Sequence, residues 1–392
     1  MTRSSSHAPR RSSVAIAAAA LAAASLGSAA AAGCGSAAPA PAPASCAPRD
    51  AIVAVSDYTS SGVGAIALDG GVDIRVAADL GKDPQLESTR GRAFFVARFD
   101  DALFELDPAC GAARAKIPTN DPSFTGTTNP QDVAAAADGT LWVPRFNEPS
   151  LLVLDADGGV ARSIDLSSYD PDGNPNASAI RITDVGGAEK AFVVLERLDD
   201  KDRLRSKLPS ALLRVDVATR SVDDAPIPLA ARNPLLLVDE ALGSFFLASP
   251  GNFDDVTEDA AGIERFEPEG PSTRLLASEK ALGGSATLVA VTRGCGAAIV
   301  AGPTDANATS LVTFDPDTGA VFRAAANAVL ATDGFDLKAL AWRGDALLVG
   351  DGRRAAGGYP VHVFDRANAC DLTMRPDAIF VPLPPVGLRA IP

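Results

Sequence analysis

The chain has 392 residues, 47% of them hydrophobic, and its formal net charge is −14. A chain of this length and apolar content can bury a large core, and a single all-β toroid reaches this size as one domain. The acidic balance argues against nucleic acid or an anionic membrane surface bound through a basic face.

Residues 1–33 have the pattern of a lipoprotein signal peptide. Three arginines form a basic start, and residues 14–32 are almost entirely Ala, Leu and Val. Small residues then precede Cys34, which resembles the lipobox at which Cys34 would receive its lipid. We therefore expect an exported protein of the cell envelope, anchored at the outer membrane. Cleavage near Ala32, leaving Cys34 as a spare thiol, is the alternative.

An Ala/Pro-rich tether follows at residues 34–49, and the folded domain spans residues 50–392. Within this domain a hydrophobic strand that ends in an acid and enters a turn recurs seven times. The acids are Asp69, Asp107, Asp155, Asp216, Glu267, Asp315 and Asp365. Another short apolar run precedes each of them, at residues 51–55, 93–97, 141–144, 191–195, 244–248, 297–301 and 346–350.

Pro-led runs that begin at Asn129 and Asn233 come earlier still in their repeats. Four strands in about 50 residues are typical of a propeller blade, so the sequence predicts an all-β, seven-bladed β-propeller. The first repeat lacks an inner strand, whereas residues 384–391 resemble the Pro-led runs. We expect this tail to complete the first blade and close the ring. An open six-plus-one ring and an eight-bladed ring are the alternatives.

The stretch Asn129-Pro-Gln-Asp-Val133, with residues 141–145, 151–155 and 164–166 and again 233–253, resembles secreted YVTN-type propellers. These are similar to the β-chain of quinoprotein amine dehydrogenase and are often lipoproteins of unknown role. The resemblance covers about residues 50–392 and implies the fold. It implies no single activity, because that superfamily includes lactonases, dehydrogenase subunits and surface-layer repeats.

Four cysteines besides Cys34 are an even number in an exported chain, which predicts two disulfides. Cys110 and Cys370 follow third strands, whereas Cys46 and Cys295 precede second strands, so all four lie on one face of the ring. If the pairing follows the repeat, the bonds are Cys46–Cys110 and Cys295–Cys370. A redox role is the alternative, although no pair has Cys-x-x-Cys spacing.

The loops after the second strands gather on the opposite face, which is the usual place for binding. The four longest cover residues 198–210, 250–262, 302–309 and 351–359. Arg98, Arg145 and Arg197 end second strands in three successive blades, with Asp57 and Asp351 in the equivalent place elsewhere. Three guanidinium groups there could bind an anion. The alternative is that they pair with nearby carboxylates.

Residues suited to catalysis are scarce. Of the two histidines, His7 lies in the signal and His362 in a strand, which excludes a His-based metal cluster and argues against a Ser-His-Asp triad. Asp170, Asp172 and Asn174 place oxygens at alternate positions, which resembles the start of a calcium loop. A solvated turn explains them equally well. We therefore expect no cofactor, and calcium is the one alternative for which the sequence has a signal.

These patterns favour a monomeric, non-catalytic scaffold in the envelope that binds a small anionic ligand or another envelope protein. The alternative is a propeller-type hydrolase or lactonase with an axial metal held by acids such as Asp57 and Asp351. A quinone-linked electron-transfer subunit is a third class, for which the sequence has no cofactor-linking signature.

Overall fold

The structure is a computed structural model, and it describes residues 49–391 except 78–79, 121–123, 200, 207, 224, 253–257, 303–307 and 369. The predicted signal peptide, Cys34 and Cys46 lie outside these residues. No helix among the described residues is long and apolar enough to cross a bilayer.

Seven antiparallel sheets form the blades of a β-propeller, as the repeat predicts. The first three blades contain β1 (Ala51–Ser56), β2 (Ser61–Ile66) and β3 (Val72–Ala77); β4 (Pro84–Thr89), β5 (Arg92–Ala97), β6 (Ala102–Leu106) and β7 (Ala113–Pro118); and β8 (Ala134–Ala135), β9 (Leu141–Pro144), β10 (Ser150–Leu154) and β11 (Val160–Asp165).

The fourth and fifth blades follow the same order, with a short hairpin, β14–β15, in the loop after the second strand of blade 4. Their strands are β12 (Ala177–Val185), β13 (Ala188–Leu195), β14 (Leu198–Asp199), β15 (Asp202–Ser206), β16 (Ala211–Asp216), β17 (Ser221–Val222) and β18 (Ile227–Pro228); then β19 (Leu236–Ala241), β20 (Ser244–Ser249), β21 (Gly262–Glu267) and β22 (Ser272–Ser278).

A four-residue helix, α1 (Glu279–Leu282), leads into blade 6, and the chain ends by returning to blade 1. The remaining strands are β23 (Ser285–Thr292), β24 (Cys295–Ala301), β25 (Thr309–Phe314), β26 (Val321–Arg323) and β27 (Leu330–Thr332); β28 (Leu337–Arg343), β29 (Ala346–Asp351), β30 (Tyr359–Ala367), β31 (Asp371–Met374) and β32 (Ile379–Val381); and β33 (Pro385–Ala390).

The C-terminal strand closes the ring. β33 pairs antiparallel with β1, with Ala390 opposite Ala51 and Leu388 opposite Val53, and becomes the inner strand of blade 1. Main-chain hydrogen bonds continue beyond the strand, since the Ile391 amide donates to the Asp50 carbonyl at 2.9 Å. The predicted closure is therefore confirmed, and the open and eight-bladed alternatives are wrong.

Hydrophobic clusters fill the spaces between blades. The described residues form seven clusters, and each joins two neighbouring blades, including one between blades 7 and 1. Alternate side chains of β1 enter different clusters: Val53 faces blade 7 and Ile52 faces blade 2. Because both faces of each second strand are buried, these strands read in the sequence as continuous apolar runs.

A disulfide joins Cys295 at the start of β24 to Cys370 in the turn between β30 and β31, with the two Cα atoms 5.0 Å apart. The bond links blades 6 and 7, as predicted from the repeat. Cys110 also takes part in a disulfide, and the partner predicted for it, Cys46, lies outside the described residues.

Candidate functional site

A cavity of about 380 Å³ opens on the propeller axis, and all seven blades contribute to its wall. Each blade does so through the start of its inner strand or the loop after its second strand, so the cavity lies on the face predicted for binding. The polar lining residues are Asp83, Gln85, Arg98, Gln131, Glu196, Thr287 and Lys338. The apolar and aromatic ones are Tyr58, Pro84, Phe146, Leu235, Leu288, Phe335, Leu337 and Val386.

Buried charges lie deeper along the axis. Glu87 on β4 is 2% exposed and accepts a hydrogen bond from Nη2 of Arg389 on β33 at 2.8 Å. Arg181 on β12 reaches Glu87 at 3.5 Å and Oδ2 of Asp132 at 2.8 Å, and Asp132 precedes β8. One chain of alternating charges thus connects four successive blades, through three inner strands and the residue that precedes β8.

The charge chain crosses β4 between two cavities. On β4, Gln85 lines the axial cavity, whereas Ser88 lines a second cavity of about 210 Å³ towards the other end of the axis. Glu87 lies between them in the strand. None of the four charged residues is among those that line the axial cavity.

Arg98 is the predicted site residue that lines the cavity. Its guanidinium is paired with the Asp83 carboxylate, and Nη1 donates to Oε1 of Gln131 at 2.9 Å. Glu196, 5% exposed, also lines the wall. Burial raises the pKa of Glu196 to about 8, against the opposing charge of Arg98, so this carboxyl is mostly protonated at neutral pH.

Lys338 lies at the rim between two aromatic rings. Its ammonium nitrogen is 5.5 Å from the centre of the Tyr58 ring and 5.6 Å from that of Phe335, and both rings are about half exposed. Cation–π attraction of this kind favours this position of the flexible lysine side chain. No described residue forms a salt bridge or hydrogen bond with its ammonium group.

The other two predicted arginines do not line the cavity. Arg145 is 0% exposed and pairs with Glu148 at 2.7 Å between β9 and β10. Arg197 lies 3.9 Å from the Asp170 carboxylate and donates to the Pro209 carbonyl at 3.2 Å. The predicted three-arginine anion site is therefore not assembled at the cavity. The alternative interpretation, pairing with nearby carboxylates, describes all three arginines.

Asp57 and Asp351 likewise do not line the cavity. Asp57 is exposed and accepts hydrogen bonds from the amides of Ser60 and Thr59, which lower its pKa. Asp351 is buried, which by itself would raise its pKa, but hydrogen bonds from His362 and Arg353 hold the pKa well below the usual range. Each carboxylate is thus occupied within its own blade.

Asp170, Asp172 and Asn174 form successive turns. The Asp172 amide donates to Asp170 at 3.1 Å, and the Asn174 amide donates to Asp172 at 3.0 Å. In the part of the chain that the structure describes, no group of three or more His, Cys, Asp or Glu is arranged to hold a metal ion. The geometry matches the solvated-turn interpretation, and calcium binding at this loop stays a prediction.

Sequence reasoning missed most of the wall. Lys338 and Phe335 stand at the start of the inner strand of blade 7, and Tyr58 is in the loop after β1. Aligning the start of each inner strand across the seven repeats would have brought out Phe335 and Lys338, whereas Tyr58 directly follows the predicted site residue Asp57. The sequence prediction instead rested on charged residues at the ends of second strands.

Comparisons with known proteins show the fold and no family. No protein-family model matches the chain, and no curated protein does. A functionally unknown protein from Desulfotomaculum acetoxidans has TM-score 0.55 and 11% identity over 87% of this chain and 98% of that one. Apo AztD from Citrobacter koseri has TM-score 0.48 and 16% identity, over 87% and 97% of the two chains.

An inactive virginiamycin B lyase from Staphylococcus aureus, with quinupristin, has TM-score 0.49 and 12% identity over 76% of this chain and 91% of that chain. At such identities the similarity concerns the propeller alone. Membership of the YVTN-type family therefore stays a prediction from the sequence.

Proposed function

We propose that this protein is a binding module of the bacterial cell envelope, which is exported, held at the membrane by a lipid on Cys34, and takes a small molecule into its axial cavity. The observation that carries the proposal is the convergence of all seven blades on one pocket of about 380 Å³. Ligand sites are usually concave, mostly preformed and combine apolar groups with polar ones that fix orientation. This pocket combines eight apolar or aromatic lining residues with seven polar ones.

The rigidity of the ring supports a binding role. Disulfides are found mainly in oxidising compartments, which agrees with export, and the Cys295–Cys370 bond ties blade 6 to blade 7. Binding a ligand to a wall that is already ordered costs less conformational entropy than binding to a flexible one. The metal-assisted hydrolase has less support, because Asp57 and Asp351 are held in their own blades instead of facing the cavity.

Filling the cavity should abolish binding. Gln85 lines the wall and its side chain has no hydrogen bond to a described residue, so Gln85→Trp is expected to occupy the cavity without breaking the fold. A thermal-shift screen of a broad small-molecule library would identify ligands, and calorimetry would measure them. We expect affinity to fall at least about 100-fold in the variant. Ligands that bind both proteins equally would place the site elsewhere.

Protein docking on the same face is the second candidate. Phe99, 60% exposed, lies beside Arg98 in the loop after β5, on the face where Tyr58 and Phe335 are also exposed. Exposed aromatic side chains are enriched at protein interfaces. Phe99→Ser separates the two functions, because it lies outside the cavity wall and would weaken docking while leaving small-molecule binding intact.

The anchoring part of the proposal has its own test. Cys34→Ala is expected to remove the lipid and shift the protein from the membrane to the soluble fraction, because no other anchor is proposed. Mass spectrometry of the mature N-terminus and fractionation would measure this, with Ser36→Ala as the matched control. An alanine variant that stays in the membrane fraction after its signal peptide has been removed would refute lipid anchoring and leave the cavity proposal untouched.

A further inference from the structure

The charges of the axial cavity do not cancel. Two cations line it, Arg98 and Lys338, and two acidic residues, Asp83 and Glu196. Asp83 is paired with Arg98. Glu196 is buried with a raised pKa and is largely neutral at pH 7. Lys338 therefore leaves a net positive charge on the wall, in a protein whose overall charge is strongly negative.

The ammonium group of Lys338 is also ready to donate. It carries three N–H donors and no acceptor, and no described residue accepts a hydrogen bond from it. The rings of Tyr58 and Phe335 hold it at the rim without satisfying those donors. A cationic ligand would have to compete with Lys338 for these two rings, whereas an anion would meet a cation whose donors are not taken up by any described residue.

Apolar and aromatic side chains make up eight of the fifteen lining residues and offer a surface for an apolar body. Leu288, Leu337 and Val386 are among them, together with the aromatic ring of Phe146. The volume of about 380 Å³ is at the small end of ligand pockets, which span about 300–1,000 Å³. These dimensions suit a compact ligand with one charged end.

We propose that the axial cavity binds small carboxylic acids with an aromatic or branched apolar body, the carboxylate meeting Lys338 at the rim and the body filling the pocket. The inference rests on the proposed function and specifies the class of ligand. Lys338 acts here as the specificity-determining residue, because it separates an acid from a neutral molecule of the same shape.

A matched series of compounds tests this class. 3-Phenylpropionate, 3-phenylpropionamide and 3-phenylpropylamine share one body and differ in charge, and acetate has the charge without the body. By calorimetry at pH 7, we expect the acid to bind about tenfold or more tightly than the amide, since charge-assisted hydrogen bonds are the stronger ones. We expect the amine and acetate to bind weakest.

Variants assign the preference to one residue. Lys338→Met keeps an apolar side chain between the rings and is expected to lower affinity for the acid about tenfold while leaving the amide unchanged. Lys338→Arg should retain the preference for the acid. Lys116→Met is the matched control, because Lys116 also lies over a ring, Phe104 at 5.6 Å, but on the outer strand β7.

The outcomes separate this inference from the proposed function. If the amide or the amine binds as tightly as the acid and Gln85→Trp abolishes that binding, the cavity is the site and the ligand class is wrong. If no compound of the series binds while another class from the library does, the inference again fails alone. If nothing in the library binds in the cavity, both proposals fail.

Discussion

Deleting residues 384–392 is expected to abolish cooperative folding of the propeller. β33 is the inner strand of blade 1, and its loss leaves the inner edge of β1 unpaired. Leu388, 0% exposed, belongs to the cluster that seals blade 7 against blade 1, and Ile391 belongs to the cluster between blades 1 and 2. Two of the seven interfaces therefore fail together, a loss comparable with the whole stability of a domain, about 5–15 kcal/mol.

Urea unfolding followed by circular dichroism measures the effect, and two further experiments keep it interpretable. A synthetic peptide of residues 384–392 added to the truncated chain should restore part of the transition. Gly387→Val keeps the full length, but its Cβ would lie 2.9 Å from the Leu86 Cβ, so a smaller loss of about 1–3 kcal/mol is expected. A truncated chain with the same urea midpoint as the intact protein would contradict ring closure by β33.

The sequence was sufficient for the fold because the repeat is visible in it. Each second strand packs between two blades and must be apolar on both sides, which produces a run such as residues 141–144 that coincides with β9. The turns after the third strands need residues such as Asp155, whose carboxylate accepts the amides of Asp157 and Gly159. Neither requirement depends on what the protein binds.

The sequence predicted the face that carries the cavity but not most of the residues that line it. The three predicted arginines occupy equivalent positions at the ends of second strands, but their side chains do not converge. Arg145 pairs with Glu148 in the interior, and Arg197 lies beside Asp170. Which carboxylate an arginine meets depends on loop conformations that the repeat does not encode. Lys338 was not predicted because its position depends on contact with the ring of Tyr58. That residue lies 280 positions earlier in the chain and is adjacent only in the closed ring.

Arg181→Met is expected to destabilise the protein strongly, and more so as the pH rises. Arg181 compensates both Glu87 and Asp132, which are 2% and 1% exposed. Glu87 keeps its second partner, Arg389, whereas Asp132 loses its only cationic partner among the described residues. Removing one partner of a buried pair leaves an uncompensated charge, which costs about 3–5 kcal/mol.

The pH dependence follows from the pKa of Asp132. Burial and the neighbouring charge of Glu87 raise that pKa to about 7 from an ordinary value of 3.8, while Arg181 opposes the rise. The folded state thus binds a proton more tightly than the unfolded state, and stability falls as pH increases between these values. Without Arg181 the folded pKa rises further. At pH 5, where Asp132 is protonated in both proteins, the variant should therefore be only slightly less stable than the parent. The difference in stability should be largest at pH 8.

Urea unfolding at pH 5 and pH 8 tests this prediction. The quantity to compare is the difference in unfolding free energy between variant and parent. Glu196 and Glu279, each with a pKa raised to about 8, titrate in both proteins, so their contribution cancels in that difference. Combining Arg181→Met with Asp132→Asn should recover much of the loss at pH 8, since no unpaired carboxylate then remains at that position. Arg323→Met, on the exposed strand β26, is the matched control and should change stability by less than about 0.5 kcal/mol. Two results would contradict the prediction: an equal loss of stability at both pH values, or a double variant at pH 8 as unstable as Arg181→Met alone. Either would show that the pairing of Arg181 with Asp132 does not stabilise the protein.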